Sequence, residues 1–174
     1  MVIYAAIEPV GRWIMTKTRR LMGLVVSLVC CLSACAIGGV IMGVVDWKPW
    51  YDGLVKPSFT PAEWFFGPVW TVLYTMMSIT AWMVWLSPPT PCRQMALALF
   101  ALHLLINAAW TPVFFGLQSL GGALAIVVLL WLLVALVWAR FWRISKPAGG
   151  LLLPYWAWVS FAALLNLEIW RLNR

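Results

Sequence analysis

Three sets of polar and aromatic residues interrupt otherwise apolar runs, and each set is spaced to share one helix face. His103, Asn107 and Thr111 stand at i, i+4 and i+8, with Trp110 beside them. Thr71, Tyr74, Thr75 and Ser78 follow i, i+3, i+4 and i+7. Trp158, Ala162 and Asn166 repeat at four-residue spacing, with Ser160 nearby. Side chains of these types hydrogen-bond and stack; none is an activated nucleophile. Polar groups avoid lipid, so the stripes face the interior of a helix bundle. They serve there either as a ligand pocket or as hydrogen-bonded links between helices, each worth roughly 0.6–2 kcal/mol.

His103 is the single histidine. Three roles fit it: axial haem ligand, hydrogen-bond donor to an anionic ligand, or structural donor. Glu168 has Arg171 at i+3, which reads as a local ion pair. Asp46 and Asp52 are loop acids. No second intramembrane carboxylate offers a proton relay or an ion-coupled pump. Cys30, Cys31 and Cys35 lie in the first apolar run and Cys92 in a loop. They form neither a disulfide framework nor, without a Cys/His cluster, a metal site. Phosphate loops, dinucleotide fingerprints, zinc-hydrolase pairs and nucleophile elbows are missing.

The elements that must position these residues are membrane spans. Apolar residues make up 64% of the 174 and charged residues 10%. Soluble domains average about 45–50% and about 25%. A soluble chain this short has no core large enough to bury that surface, whereas lipid covers it on the outer helix faces. Five apolar stretches, about residues 21–45, 64–86, 95–115, 123–141 and 149–172, are each near the roughly 20 residues that cross a bilayer. Separate spans of this length must be helices, because every backbone polar group has to be satisfied within the segment. The fold class is therefore all-α integral membrane, a five-transmembrane-helix bundle: a basic N-terminal tail over 1–20, then one membrane domain over 21–174. The first run is longer than the about 7–15 apolar residues of a signal-peptide core, so it reads as a retained helix.

The first loop, 46–63, is the longest. Its Trp47, Trp50, Tyr51 and Phe59 suggest that it folds onto the bundle. Gly116 and Gly121-Gly122 mark a tight turn between the third and fourth spans, and Arg140 to Lys146 separate the fourth from the fifth. The N-terminal tail, second loop and fourth loop carry eight of the twelve Lys and Arg residues, which favours a cytoplasmic N-terminus. The net charge of +7 comes in short clusters without a basic, aromatic-interleaved stripe. It reads as topogenic charge in contact with anionic lipid, not as nucleic-acid binding. Cys31, Cys35, Gly39 and Gly43 form a small-residue ladder on the first span, suited to a close helix contact within the chain or to a dimer seam. No internal repeat is visible, unlike transporters built from inverted halves. Fourteen tryptophans exceed the needs of two interfacial belts; the surplus suggests an aromatic-lined cavity or tryptophan-rich packing.

Four strings carry a family resemblance. The first is Trp50-Tyr51-Asp52 with Leu54-Val55-Lys56-Pro57-Ser58-Phe59-Thr60-Pro61. The second is Phe66-Gly67-Pro68-Val69-Trp70-Thr71-Val72-Leu73-Tyr74. Asn107-Ala108-Ala109-Trp110-Thr111-Pro112-Val113-Phe114-Phe115-Gly116 is the third. Pro154-Tyr155-Trp156-Ala157-Trp158-Val159-Ser160-Phe161-Ala162 with Leu165-Asn166 is the last. In order and spacing, over about residues 24–173, they resemble the TspO/MBR family: the tryptophan-rich sensory proteins of bacteria and the mitochondrial translocator protein, or peripheral-type benzodiazepine receptor.

The resemblance implies five helices, commonly as a homodimer. It also implies a cavity near the first loop that binds protoporphyrin IX or haem as ligand, with no cofactor required. Sterols and benzodiazepine-type compounds are further ligands of some members. By motif position Tyr51, Trp70, Asn107, Trp110, Trp158 and Ala162 match the pocket, and His103 matches it by position only. With Trp50 in the lid motif, and Tyr74 and Asn166 from the stripes, these form the ligand-binding set. The animal sterol segment has a Tyr before its terminal Trp-Arg; here Leu165 to Arg171 carries Leu at that place. A looser sterol pattern, Val45 to Tyr51 to Lys56, lies in the loop.

A porphyrin is a flat π-rich disc with two carboxylates. Indoles stack on such a disc, and Lys48, Lys56 or His103 are the groups available to its carboxylates. The function implied is a tetrapyrrole-binding sensor or regulator of porphyrin handling and stress response. The alternatives are a porphyrin or sterol transporter and a light-dependent porphyrin-degrading enzyme with Trp70 and Trp158 as redox partners. A structural membrane protein without ligand is the fourth reading. The membrane implied is the bacterial cell membrane, with the mitochondrial outer membrane as alternative.

Overall fold

A computed structural model describes residues 15–174. Residues 1–14, which include Arg12 and most of the expected basic tail, lie outside the described part. Six α-helices make up the fold: α1 Lys17–Val44, α2 Lys48–Asp52, α3 Glu63–Trp85, α4 Pro91–Thr111, α5 Leu120–Ile144 and α6 Lys146–Leu172. A π-helical turn, Pro112–Gly116, continues α4. No strand occurs among the described residues.

Helix starts are set by side-chain caps. The hydroxyls of Thr16, Thr90, Ser119 and Ser145 accept from the backbone N–H three residues on, satisfying donors that a helix N-terminus leaves free. Pro91, directly after Thr90, fits the first helical turn, where no N–H is needed. So α4 starts before residue 95, where hydropathy alone would begin it, and Cys92 sits on its first turn rather than in a loop. The α5–α6 connection also differs from expectation. Ser145 is at once the C-cap of α5 and the N-cap of α6, so the basic segment belongs to the two helices. At this corner a Cβ on Gly149 would lie 2.9 Å from the Trp142 Cα, a contact only glycine permits. The α4–α5 turn does not rest on a glycine: Gln118 holds the left-handed conformation, with φ 50, while Gly121 and Gly122 lie in the first turn of α5.

The five long helices stand in a ring, each packed on the next in the order α1, α3, α6, α5, α4 and back to α1. The end that carries α2 is here the upper end. Below, the ring is filled by Met77, Ala81, Val84, Ala96, Phe100, Phe141, Ala148, Leu152 and Tyr155, all buried. Outward faces are apolar and bare: Val25, Val29, Val40, Leu105, Leu132, Leu136 and Leu164 are exposed. Four segments, Lys17–Val44, Pro91–Gly116, Leu120–Ile144 and Lys146–Leu172, are long and apolar enough to cross a membrane. The remaining long helix, α3, carries four tryptophans, Trp64, Trp70, Trp82 and Trp85.

The small-residue ladder of α1 is not one seam. Cys31 is buried, but a Cβ on Gly39 or Gly43 would meet nothing within 4 Å. The close approach is lower, at Gly23, whose Cβ would lie 2.3 Å from the Trp85 ring.

Candidate functional site

The upper half of the ring encloses a cavity of about 660 Å³. Its floor is a hydrogen-bonded chain across three helices. His103 Nδ1 lies 2.8 Å from the Phe100 carbonyl. A carbonyl only accepts, so Nδ1 carries the proton and Nε2 is the acceptor. Tyr155 Oη, 3.1 Å away, therefore donates to His103 Nε2. Tyr155 in turn accepts from Asn107 Nδ2 at 2.7 Å, and Asn107 Oδ1 accepts from Tyr74 Oη. The chain of donors runs one way from α3 through α4 and α6 to end on a backbone carbonyl, with a neutral imidazole inside it. All four side chains are buried.

Aromatic walls rise from this floor. Trp70 and Trp158 meet edge to face, centroids 6.5 Å apart at 89°, and Phe66 lies 6.1 Å from Trp158. Opposite, Trp110 Nε1 donates to Asn166 Oδ1 at 3.2 Å, and Asn166 Nδ2 donates to the Ala162 carbonyl at 2.8 Å. That pair holds the Trp110 ring upright. Trp158 Nε1 is buried without an acceptor. Since Trp138 and Trp156 in the α5–α6 seam share that condition, an unmatched indole is not by itself a mark of the site.

The roof comes from the first loop and the π-turn. Pro112 has no N–H to give the α4 ladder. The hydrogen bonding then widens, and Leu117 N–H reaches the Pro112 carbonyl at 2.9 Å. This rotation turns Phe114 inward onto Trp110, stacked at 4.9 Å and 19°, and sets Phe115 against Trp47 at 5.3 Å and Tyr51 at 5.8 Å. Lys56 Nζ lies 4.3 Å from the Tyr51 ring centroid and donates to the Tyr51 carbonyl. Two fastenings tie the loop down. Asn173 Oδ1 accepts from Val55 N–H at 2.9 Å while its Nδ2 donates to the Val55 carbonyl at 2.8 Å. Lys48 bridges Asp52 at 3.2 Å and Glu63 at 3.1 Å; these bonds, that to Glu63 foremost, raise its pKa. Burial raises that of the Tyr51 phenol.

Of the ten residues in the sequence-derived set, Tyr51, Trp70, Tyr74, Asn107, Trp110, Trp158, Ala162 and Asn166 border the cavity. Two do not. His103 lies one helical turn below Asn107, fully buried with both nitrogens engaged, so it meets neither a haem iron nor a ligand carboxylate. Trp50 packs on the outer side of Phe114, centroids 5.4 Å apart. In the stripe of α3 Tyr74 makes the interhelical link, to Asn107, while the hydroxyls of Thr71, Thr75 and Ser78 donate to carbonyls four residues back in their own helix. Ser160 accepts from Trp131 of α5, away from the cavity. Sequence reasoning left out Trp47, Phe114, Phe115, Phe66 and the α1 face of Ala34, Cys35, Gly38 and Gly39, all of which line the cavity. Phe114 and Phe115 follow Pro112 directly, a signal for the π-turn; the α1 face has no polar residue to flag it. Among the described residues no three His, Cys, Asp or Glu side chains gather as a metal site.

Fold and site together define an integral membrane protein, a helix bundle around an aromatic cavity roofed by a folded loop. Residues 26–171 match the model of the TspO/MBR family. The chain is 40% identical over 141 residues to Protein CrtK of Rhodobacter capsulatus, covering 80% of this chain and 88% of that one. It is 39% identical over 156 residues to Tryptophan-rich protein TspO of Chlorobaculum tepidum, 86% and 97% covered. It is also 39% identical over 126 residues to Translocator protein of Homo sapiens, 71% and 75% covered. The chain belongs to the TspO/MBR family.

Proposed function

We propose that this protein is a membrane receptor for a tetrapyrrole, protoporphyrin IX or haem, and acts as a sensor or regulator of porphyrin handling. The observation that carries this reading is the roofed cavity with Trp47, Tyr51, Trp70, Trp110, Phe114 and Trp158 around it. Its volume is within the about 300–1,000 Å³ of small-molecule sites. Aromatic faces suit the disc. Lys56 and Lys48 at the roof are the cations near enough to serve the carboxylates once they exchange their present partners. Titrating the purified protein with protoporphyrin IX is expected to quench tryptophan fluorescence saturably at micromolar ligand. Trp70→Ala with Trp158→Ala is expected to weaken binding about tenfold, a loss of about 1.4 kcal/mol. Absence of saturable quenching by the unaltered protein overturns the reading.

In this reading all five long helices cross the bilayer. The 23 residues of α3 reach about 34 Å, enough for a core of about 30 Å. The Asn173–Val55 bonds support the count: the C-terminus meets the loop that follows α1, which an odd number of crossings allows and four would not. The N-terminus then lies opposite the roof, on the cytoplasmic side by the Lys/Arg distribution. A homodimer in a bacterial cell membrane completes the proposal, and cross-linking in native membranes tests it.

A second reading, light-driven porphyrin breakdown with dioxygen as oxidant, is favoured by the Trp70–Trp158 pair bordering the cavity. It requires Trp70→Phe with Trp158→Phe to slow light-dependent loss of porphyrin absorbance; an unchanged rate rules these indoles out as redox partners.

A further inference from the structure

Helices α1 and α3 touch at one end and part at the other. Low in the ring, Gly23 lies against Trp85, and Trp82 Nε1 donates to the Arg20 carbonyl at 2.9 Å. Higher up, α1 leans on α4 instead: a Cβ on Gly38 would lie 3.3 Å from Thr111 Oγ1. A Cβ on Gly39 of α1 or on Gly67 of α3 would meet nothing within 4 Å. The cavity has the same asymmetry. Its lining residues on α4, α5, α6 and the roof are buried or half-buried. The lining residues that are exposed, Gly39, Glu63, Trp64, Gly67 and Thr71, all belong to α1 and α3.

The surface around this gap faces lipid, not water. On the two flanking helices Val40 and Val44 of α1 and Val72 of α3 are exposed and apolar. Thr71 is eight residues into α3, about 12 Å along its axis, so the gap runs well below the upper boundary of a core about 30 Å thick.

We propose that the cavity opens sideways into the bilayer between α1 and α3, and that its ligand, a flat apolar or amphiphilic molecule dissolved in lipid, enters and leaves by this cleft. Glycines at 39 and 67 keep the cleft clear, because any side chain there projects into it. The roof, fastened by Asn173 and Lys48, stays closed while exchange proceeds below it. The inference takes the cavity as the ligand site but does not depend on that ligand being a tetrapyrrole.

Cys35 supplies the test. It lines the cavity, half-buried, one turn below Gly39. In proteoliposomes of a Cys30→Ala, Cys31→Ala, Cys92→Ala protein, Cys35 is reacted with a lipid-dissolved alkyl maleimide and with a membrane-impermeant sulfonated maleimide. The lipid-borne reagent is expected to label faster by about tenfold or more, since a charged reagent does not enter an apolar cleft. Gly39→Leu with Gly67→Leu is expected to slow lipid-borne labelling several-fold, and Gly150→Leu, a position also open to a Cβ but away from the cavity, to leave it unchanged. Equal or faster labelling by the sulfonated reagent overturns the proposal. So does a plugged variant that labels like its parent, or a thiol that labels only after unfolding in detergent. If this pattern appears while protoporphyrin IX fails to quench, the ligand assignment falls and the lateral opening stands.

Discussion

Below Tyr74 the five long helices close on one another; above it the same helices stand around empty space. The interior residues account for the difference. In the lower half Ala81, Ala96 and Ala148 are buried at the contacts, so the backbones approach and larger side chains fill what remains. In the upper half Trp70, Trp110 and Trp158 face inward, and rigid rings brace edge to face at 5–7 Å. Hydrogen bonding divides in the same way. The floor chain from Tyr74 to Phe100 joins side chains of α3, α4 and α6, which fixes the three helices at one depth. Above it, the Trp110–Asn166 bond joins α4 to α6, and the Lys48 and Asn173 bonds fasten the roof. Tightness below is what allows a cavity above, because the floor and the Gly23 and Gly149 contacts hold the ring together without help from the cavity walls.

Truncation of a large aromatic in each half measures that contrast most directly. Tyr155→Ala, in the filled half, is expected to cost about 3–5 kcal/mol, as for other buried aromatics, and to lower the unfolding midpoint in detergent sharply. Trp70→Ala, whose ring already borders empty space, is expected to cost clearly less. Equal losses would mean that the cavity walls hold the fold as much as the floor does.

The roof gives a smaller effect. Asn173→Ala removes both bonds to Val55, each worth about 0.5–1.5 kcal/mol at most in a solvent-exposed setting. Its unfolding midpoint is expected to match that of the unaltered protein, while fluorescence of the roof residues shows a looser loop. A lowered midpoint would show that roof and bundle unfold as one unit. The smallest effect is that of pH on the Lys48 bridge. Its pKa is raised above the usual 10.5 by Glu63 and Asp52, so the folded state favours the ammonium. The fastening is then complete below that usual value and is lost as pH rises through the raised one. Lys48→Met is expected to remove this alkaline loosening of the roof and leave the floor untouched; persistence of the loosening would assign it elsewhere.

Much of the architecture could be read from the chain alone. Long apolar runs in a lipid solvent have one backbone solution, but hydropathy placed two helix starts late, at 95 and 149, where the Thr90 and Ser145 caps set them earlier. Spacing at three and four residues put Tyr74, Asn107, Trp158 and Asn166 on inward faces, because helix geometry is the same in every fold. What spacing does not carry is depth. His103 and Asn107 share a face, yet Asn107 borders the cavity while His103 sits one turn deeper within the floor, since only the neighbouring helices decide where packing ends. The α1 wall was equally hidden: Ala34, Cys35, Gly38 and Gly39 become a wall only because α1 leans toward α4 and away from α3.

Sequence by itself determined an all-helical membrane protein of the TspO/MBR family, with inward-facing polar and aromatic stripes and a first loop that folds back. It did so through composition, helical period and the order of its motifs, which are written along the chain. The tertiary structure alone decided that His103 serves the floor and that Trp50 packs outside the cavity. It also decided that the Thr and Ser hydroxyls of α3 satisfy their own helix, and that the cavity is bordered by an open seam between α1 and α3. These depend on how helices far apart in sequence tilt against one another, and that is set by the sum of contacts around the whole ring.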